Sequence, residues 1–140
     1  MKSRKKKLKI GESAEMYLET ILILSKQGDV RSIDIVRAMN FSRPTVSIAI
    51  HNLEKENYIK ISSTGNITLE PSGLEIAERI YERHTVLTKV LMQLGVSEKT
   101  ASEDACKIEH VISAESFDCI KKHIAGKMIQ NEKCKMKNSC

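Results

Sequence analysis

The sequence predicts a mainly α-helical protein: an N-terminal winged helix-turn-helix of three helices and a two-stranded wing, followed by a second helical domain. Composition is the first observation, because hydrophobic residues make up 41% of the 140-residue chain but aromatic residues only 4%. This balance is typical of a core built from Leu, Ile and Val on helices. The other two observations are a pair of short helical patterns joined by a tight turn, and a β-hairpin pattern directly after them.

The winged domain is predicted over residues 12–71, after a basic arm of residues 1–11. A serine, which is a favoured N-cap, precedes each of its three helical patterns; these serines are Ser13, Ser32 and Ser42. We expect the first helix to end near Lys26 and the second at Met39. The third helix tolerates Pro44 in its first turn, where the missing backbone N–H costs nothing.

The wing is predicted from two short apolar and β-branched runs, residues 58–61 and 67–69. The segment between them contains Gly65 and is typical of a turn. A hairpin placed directly after the second helix of a helix-turn-helix is the wing of a winged helix.

The second domain is predicted over residues 72–126. It opens with a long helix from Pro71 that stops at Gly95. Two shorter helices follow, and their predicted caps are Ser97 and Ser113. The apolar stripe of the first of them is Ala101, Ala105, Ile108 and Ile112. We expect Gly126 to end the last helix and residues 127–140 to form a poorly ordered, Lys-rich tail.

The formal net charge of +5 favours an anionic partner such as nucleic acid. No apolar run reaches the length of a membrane span, and no signal peptide is visible. We therefore expect a cytoplasmic protein with no membrane partner, in which the 4 cysteines stay reduced.

The first residues of the second helix of a helix-turn-helix meet base edges in the major groove of DNA. Those positions are Ser42, Arg43, Pro44, Thr45 and Ser47. Arg43 can donate two hydrogen bonds to a guanine, and the hydroxyl groups suit phosphates or bases. From the residues alone, an ordinary helical hairpin with a solvated polar face explains the same pattern.

Three side chains of the kinds that bind metal ions lie close together in the sequence near residue 108. Cys106, Glu109 and His110 stand at i, i+3 and i+4, so that on a helix all three leave one face. A packed thiol, a surface carboxylate and a capped imidazole would give the same pattern. His84 falls on the apolar stripe of the long helix, where a core histidine is the alternative. Met16 and Glu19 on the first helix would join these residues if the first, fourth and fifth helices meet; otherwise they are a core methionine and a solvated carboxylate.

The chain resembles the diphtheria toxin repressor and manganese transport regulator family. The resemblance runs from about residue 12 to residue 125 and is carried by four segments: Glu15–Glu19, Ser42–Ser47, Arg83-His84 and Asp104–His110. It implies a homodimeric repressor of metal-uptake genes, with a winged helix, a helical metal-binding and dimerisation domain, and a palindromic double-stranded operator. It also implies a divalent-metal site between the two domains.

The family has two site chemistries, and this chain combines them. The positions that match the iron-type branch are Met16, Cys106, Glu109 and His110. The manganese-type branch has Asp and Glu at the first two of these positions, and also uses Glu19 and His84, which are both present here. The further ligands of the iron-type ancillary site fall on Thr88 and Ser102, which leaves that site in doubt. The length of the chain, without an SH3-like third domain, is that of the manganese type.

A thiolate and a thioether favour iron over manganese, which prefers carboxylate and water. We therefore expect an Fe²⁺-responsive transcriptional repressor, with Mn²⁺ second and Co²⁺, Ni²⁺ or Zn²⁺ able to substitute in vitro. A Mn²⁺-responsive regulator and a metal-independent winged-helix protein are the alternatives. A metalloenzyme ranks last, because no nucleophile motif or phosphate-binding loop is visible, and we expect neither an enzyme nor an organic small-molecule substrate.

Overall fold

The computed structural model describes the backbone of residues 11–137 and the side chains of residues 11–126. Most of the predicted basic arm therefore lies outside the described residues. The elements in chain order are α1 (Glu12–Ser25), α2 (Ser32–Met39), α3 (Arg43–Lys55), β1 (Ile59–Ile61), β2 (Ile67–Leu69), α4 (Pro71–Gln93), α5 (Glu98–Ile108) and α6 (Ala114–Lys137). The prediction of a mainly helical protein with a winged helix-turn-helix and a second helical domain is confirmed.

Inter-residue contacts divide the chain into two compact units, Met1–Tyr81 and Glu82–Cys140. The boundary falls inside α4, so this helix contributes residues to both units. No helix in the described ranges combines the length and the apolar character needed to span a bilayer.

The first unit is held together by one apolar core between its helices and its wing. Its buried residues are Tyr17, Leu18, Ile21, Leu22, Val30, Ile35, Val46, Ile50, Leu53, Ile59, Ile67 and Ala77. Helices α1 and α3 supply these residues at spacings of three and four, which places them on one face of each helix, whereas α2 and α4 supply one residue each. The short helix α2 buries Ile35 completely, and α3 turns Val46, Ile50 and Leu53 inward.

Two of the predicted helix caps are wrong. The first helix begins one residue before Ser13, with Gly11 as its N-cap, and Ser32 is the first residue of α2 rather than its cap. At α2 the acceptor comes from the third helical residue instead: the Asp34 Oδ2 atom accepts from the Arg31 backbone N–H at 2.9 Å. The caps Ser42, Ser97 and Ser113 are confirmed, since each hydroxyl accepts a backbone N–H three residues later.

The wing is a short antiparallel hairpin that is tied back to the core. Ile61 pairs with Ile67 and Ile59 with Leu69, so that Ile59 and Ile67 both turn inward. The turn contains Gly65 at φ +91°, a left-handed conformation that glycine adopts without strain. The backbone N–H of Ile67 also donates to the Val30 carbonyl oxygen at 2.8 Å, which attaches the hairpin to the loop before α2.

Two boundaries in the second unit differ from the prediction. Helix α5 ends at Ile108, so Ile112 lies beyond it, and α6 continues through Gly126 to Lys137. A helix tolerates one exposed glycine at a cost of about 1 kcal/mol, and residues with good helix propensity follow Gly126. The first part of the predicted tail is therefore helical backbone.

The close approach of α4 to Tyr58, in the segment between α3 and β1, generates a prediction. A Cβ atom on Gly73 would lie 2.1 Å from the Tyr58 carbonyl oxygen, far inside van der Waals contact. We expect Gly73→Ala to lower the free energy of unfolding by about 1–3 kcal/mol, the usual cost of overpacking. Chemical denaturation measures this change.

Gly126→Ala is the matched control, because within residues 11–126 nothing packs within 4 Å of the corresponding Cβ position. In a helix interior this substitution should stabilise by about 0.5–1 kcal/mol. Equal stabilities for Gly73→Ala and the unmodified protein would contradict the described packing of α4 on the chain at Tyr58.

Candidate metal centre and nucleic-acid interface

The candidate metal centre lies at the C-terminal end of α5. Cys106 is in the last turn of that helix, and Glu109 and His110 are in the turn that follows it. Glu109 keeps helical backbone angles, with φ −59° and ψ −26°, and its N–H still donates to the Ala105 carbonyl oxygen. The helical path therefore persists long enough for one ligand atom from each of the three predicted ligands to lie within 4.8 Å of the others.

Glu109 is the most unusual side chain of this cluster, because its carboxylate is completely buried. The Oε1 atom lies 2.9 Å from His84 Nδ1. The Oε2 atom lies 3.4 Å from His110 Nε2 but makes no hydrogen bond within the described residues. A buried carboxylate oxygen without a hydrogen bond is costly. A thiol, an imidazole and such an oxygen are together a donor set that fits a divalent transition metal.

His84 is placed in the second unit, beside the predicted ligand Glu109. An ionised carboxylate only accepts hydrogen bonds, so His84 Nδ1 donates to Glu109. In the neutral imidazole the other nitrogen, Nε2, then accepts from Ser102 Oγ at 3.3 Å. Ser102, His84 and Glu109 thus form a hydrogen-bonded chain, and His84 and Cys106 line the same open depression.

Arg83 is a residue that sequence reasoning missed. Its Nη1 atom donates to the Glu109 carbonyl oxygen at 3.1 Å and to the Ile112 carbonyl oxygen at 2.9 Å. Its guanidinium also stacks over Phe117, 5.4 Å from the ring centroid. Arg83 therefore fixes the turn that carries Glu109 and His110. In the sequence Arg83 stands out only as part of the Arg83-His84 segment of the family resemblance, which gives no indication of backbone contacts.

The remaining predicted ligands, Met16 and Glu19, lie on α1 in the first unit. Glu19 is buried and Met16 is half-buried. Their convergence with the residues of the second unit stays a prediction.

The predicted DNA-reading residues at the start of α3 are all exposed; they are Ser42, Arg43, Pro44, Thr45 and Ser47. Two of them also build the helix N-terminus, because Ser42 Oγ donates to Thr45 Oγ1 at 2.8 Å and accepts from the Thr45 N–H. The opposite side of α3 is buried in the core, so the exposed face is presented on a fixed helix.

Comparison with known proteins also gives a DNA-binding domain followed by a metal-binding domain. The model described as iron dependent repressor, N-terminal DNA binding domain, matches residues 9–66. The model described as iron dependent repressor, metal binding and dimerisation domain, matches residues 70–128. An HTH-type transcriptional regulator of Methanocaldococcus jannaschii is 31% identical over 115 residues, which cover 80% of this chain and 92% of the relative. The chain belongs to the diphtheria toxin repressor and MntR family of metal-dependent transcriptional regulators.

A further relative and two solved structures are also similar to this chain. MntR of Geobacillus kaustophilus is 33% identical over 109 residues, which cover 77% of each protein. The solved IdeR of T. acidophilum has a TM-score of 0.68 and 28% identity over 79% of this chain. The manganese regulator SloR has a TM-score of 0.72 over 80% of this chain, and at 24% identity it supports the fold alone. This chain spans 53% of the length of each of these two solved chains.

The family consists of DNA-binding repressors rather than enzymes, as the sequence predicted. Its members bind operator DNA, dimerise and bind divalent metal ions.

The role of Arg83 generates a prediction. Arg83→Ala should loosen the turn after α5, because two carbonyl groups lose a charged donor worth about 1.5–3 kcal/mol. We expect faster amide hydrogen exchange over residues 109–112 and an affinity for Mn²⁺ weaker by about 10–100-fold, the usual effect of losing a group that orients ligands.

Arg79→Ala is the control on the same helix, because Arg79 makes a half-exposed ion pair with Glu15 in the first unit. It should leave hydrogen exchange in the turn unchanged. Unchanged exchange and Mn²⁺ affinity in Arg83→Ala would show that the turn does not depend on this guanidinium.

Proposed function

We propose that this chain is a homodimeric, Fe²⁺-responsive repressor of metal-uptake genes that binds a palindromic operator. The observation that carries the proposal is the group formed by Cys106, Glu109 and His110, with a buried carboxylate oxygen that has no hydrogen bond to any part of the chain that the structure describes. This group stands in a chain whose family binds DNA and divalent metals.

In the proposed site, Cys106, Glu109 and His110 hold the ion, and Met16, Glu19 and His84 complete the set of ligands. The bound ion supplies positive charge that balances the buried carboxylate of Glu109. The residues around the site hold its donors in place: His84 orients the carboxylate through Oε1, and Arg83 fixes the backbone of the turn. Such orienting contacts raise affinity because the donors lose less freedom on binding.

The thiol at residue 106 supports Fe²⁺ as the physiological metal. Thiolate and imidazole are softer ligands than Mn²⁺ prefers, and they also accept Co²⁺, Ni²⁺ or Zn²⁺ in vitro. The second candidate is a Mn²⁺-responsive regulator, which is favoured by relatives that carry the name MntR. The reduced thiol that the site requires is consistent with a protein that acts in the cytoplasm.

Met16 and Glu19 belong to the unit that carries the winged helix, whereas Cys106, Glu109 and His110 belong to the other. A shared set of ligands makes metal affinity and DNA affinity reciprocally linked. A shift of the DNA-competent state from 1:99 to 99:1 needs about 5.5 kcal/mol of differential binding. In a dimer with twofold symmetry, two identical winged helices face two identical half-sites, so the operator is palindromic.

The test is an anaerobic DNA-binding titration with Fe²⁺ and with Mn²⁺. The duplex is selected from random-sequence DNA by the metal-loaded protein. We expect binding that a chelator reverses and that Fe²⁺ supports at lower free concentration than Mn²⁺. Binding that a chelator leaves unchanged would contradict the proposal and favour a metal-independent winged-helix protein.

The three central ligands should act as a unit. Cys106→Ala, Glu109→Ala and His110→Ala should each abolish metal-stimulated DNA binding and leave a folded dimer. Asp104→Ala is the control, because Asp104 is exposed on the same helix and lies two residues, or about 200° around the helix, from Cys106. Calorimetry follows metal affinity, and sedimentation follows the dimer. Metal affinity equal to that of the unmodified protein in all three variants would rule out this site.

The metal preference should follow the thiol. Cys106→Glu should shift activation towards Mn²⁺ relative to Fe²⁺, because a carboxylate replaces a soft ligand. The measurement is the ratio of the two metal concentrations that give half-maximal operator binding under anaerobic conditions. An unchanged ratio would mean that Cys106 does not contact the ion.

Arg43 should read sequence if α3 lies in the major groove. Arg43→Ala should cost about 1–3 kcal/mol at one base position and little on scrambled DNA. Removal of residues 1–9 should instead weaken binding to all sequences and flatten the salt dependence, because phosphate contacts release counterions. Comparison of selected and scrambled duplexes across salt concentrations separates the two roles. Equal losses on both duplexes would make Arg43 a phosphate contact.

A further inference from the structure

We infer that Ile48 is a specificity-determining residue that contacts the 5-methyl group of a thymine in each operator half-site. The inference rests on the proposed function and concerns a residue that the sequence offers, with His51, as the next outward position on α3 after the five predicted DNA-reading residues. It follows from the exposure of Ile48, its place on α3 and the chemistry of its neighbours.

Ile48 is 65% exposed, more than any other large hydrophobic residue that the structure describes in the first unit. It stands two residues from both Val46 and Ile50, which are buried. Two residues correspond to about 200° around a helix, so Ile48 leaves the helix on the side opposite the core. Folding of this unit therefore gives no reason for an isoleucine at this position.

The neighbours of Ile48 define an apolar strip in a polar surface. Pro44 is exposed and lies one turn earlier on the same side of α3. Ser47 and His51 form the polar edge, and the His51 Nδ1 atom lies 2.7 Å from the Ser47 carbonyl oxygen. Because a carbonyl oxygen only accepts, His51 Nδ1 is the donor in this contact. This hydrogen bond fixes the imidazole beside Ile48.

The strip continues the surface that starts with Arg43, in a family that binds operator DNA. In the major groove only thymine presents an apolar group, its 5-methyl, to an approaching helix. A β-branched side chain has few rotamers on a helix and loses little freedom when it is covered. The occupant that fits Ile48 is therefore a thymine methyl group.

The test uses the full chain, with metal, and the duplex selected from random-sequence DNA. Each thymine is replaced singly by deoxyuridine, which removes the 5-methyl group and keeps every hydrogen-bonding group of the base. Affinities are measured for the unmodified protein, Ile48→Ala, Ile48→Val and Leu94→Ala. Leu94 is the matched control, because it is 73% exposed and lies outside α3.

For the unmodified protein and for Leu94→Ala, we expect one deoxyuridine substitution per half-site to weaken binding about fourfold, or about 0.8 kcal/mol for one buried methyl group. For Ile48→Ala, the same substitution should have no further effect. Ile48→Val keeps the branched Cβ and should lose part of the discrimination between thymine and deoxyuridine. It therefore provides the same test if the alanine variant does not fold.

The inference would be overturned, and the proposed function left intact, if the deoxyuridine substitutions weakened DNA binding equally for the unmodified protein and for both Ile48 variants. The inference would also be overturned if no deoxyuridine substitution changed the affinity of the unmodified protein for the duplex. Failure of the metal-loaded protein to select any duplex would overturn both the inference and the proposed function.

Discussion

The burial of the Glu109 carboxylate is the constraint on which the second unit depends. A buried charge needs partners, and the molecule places one on each side of it: His84 at Oε1 and His110 near Oε2. Arg83 then secures the backbone that carries the group. The proposed function rests on the same place in the molecule, because ligand atoms of Cys106, Glu109 and His110 lie within 4.8 Å of one another there.

In the first unit, by contrast, polar side chains must stay exposed on a helix, α3, that is itself held in a fixed position. Helix α3 buries only three residues of its thirteen, yet these three fix its rotation against α1 and α2. Its first turn is closed by Ser42, which leaves Arg43 and Ser47 directed at solvent. Stability and recognition are thus assigned to different faces of one helix, so a substitution on one face is not expected to disturb the other.

Local patterns predicted the features that depend on neighbouring residues. The Ser42 and Ser97 caps and the Gly65 turn each follow from the preferences of a few adjacent residues. The end of α5 and the passage of α6 through Gly126 were missed, because neighbours in space decide where a helix stops. The cluster around Cys106 was predicted from spacing. The contacts of Arg83 were not, because they join residues 26 and 29 positions apart.

The position of the candidate centre at the end of α5 has an electrostatic consequence. The last carbonyl groups of a helix carry about half a negative charge, and this attracts any cation. Glu109 adds a full charge at the same end of the helix. This field distinguishes divalent from monovalent ions but not one transition metal from another. Discrimination between metals is therefore left to the polarisability of the donor atoms and to which ion the cell supplies.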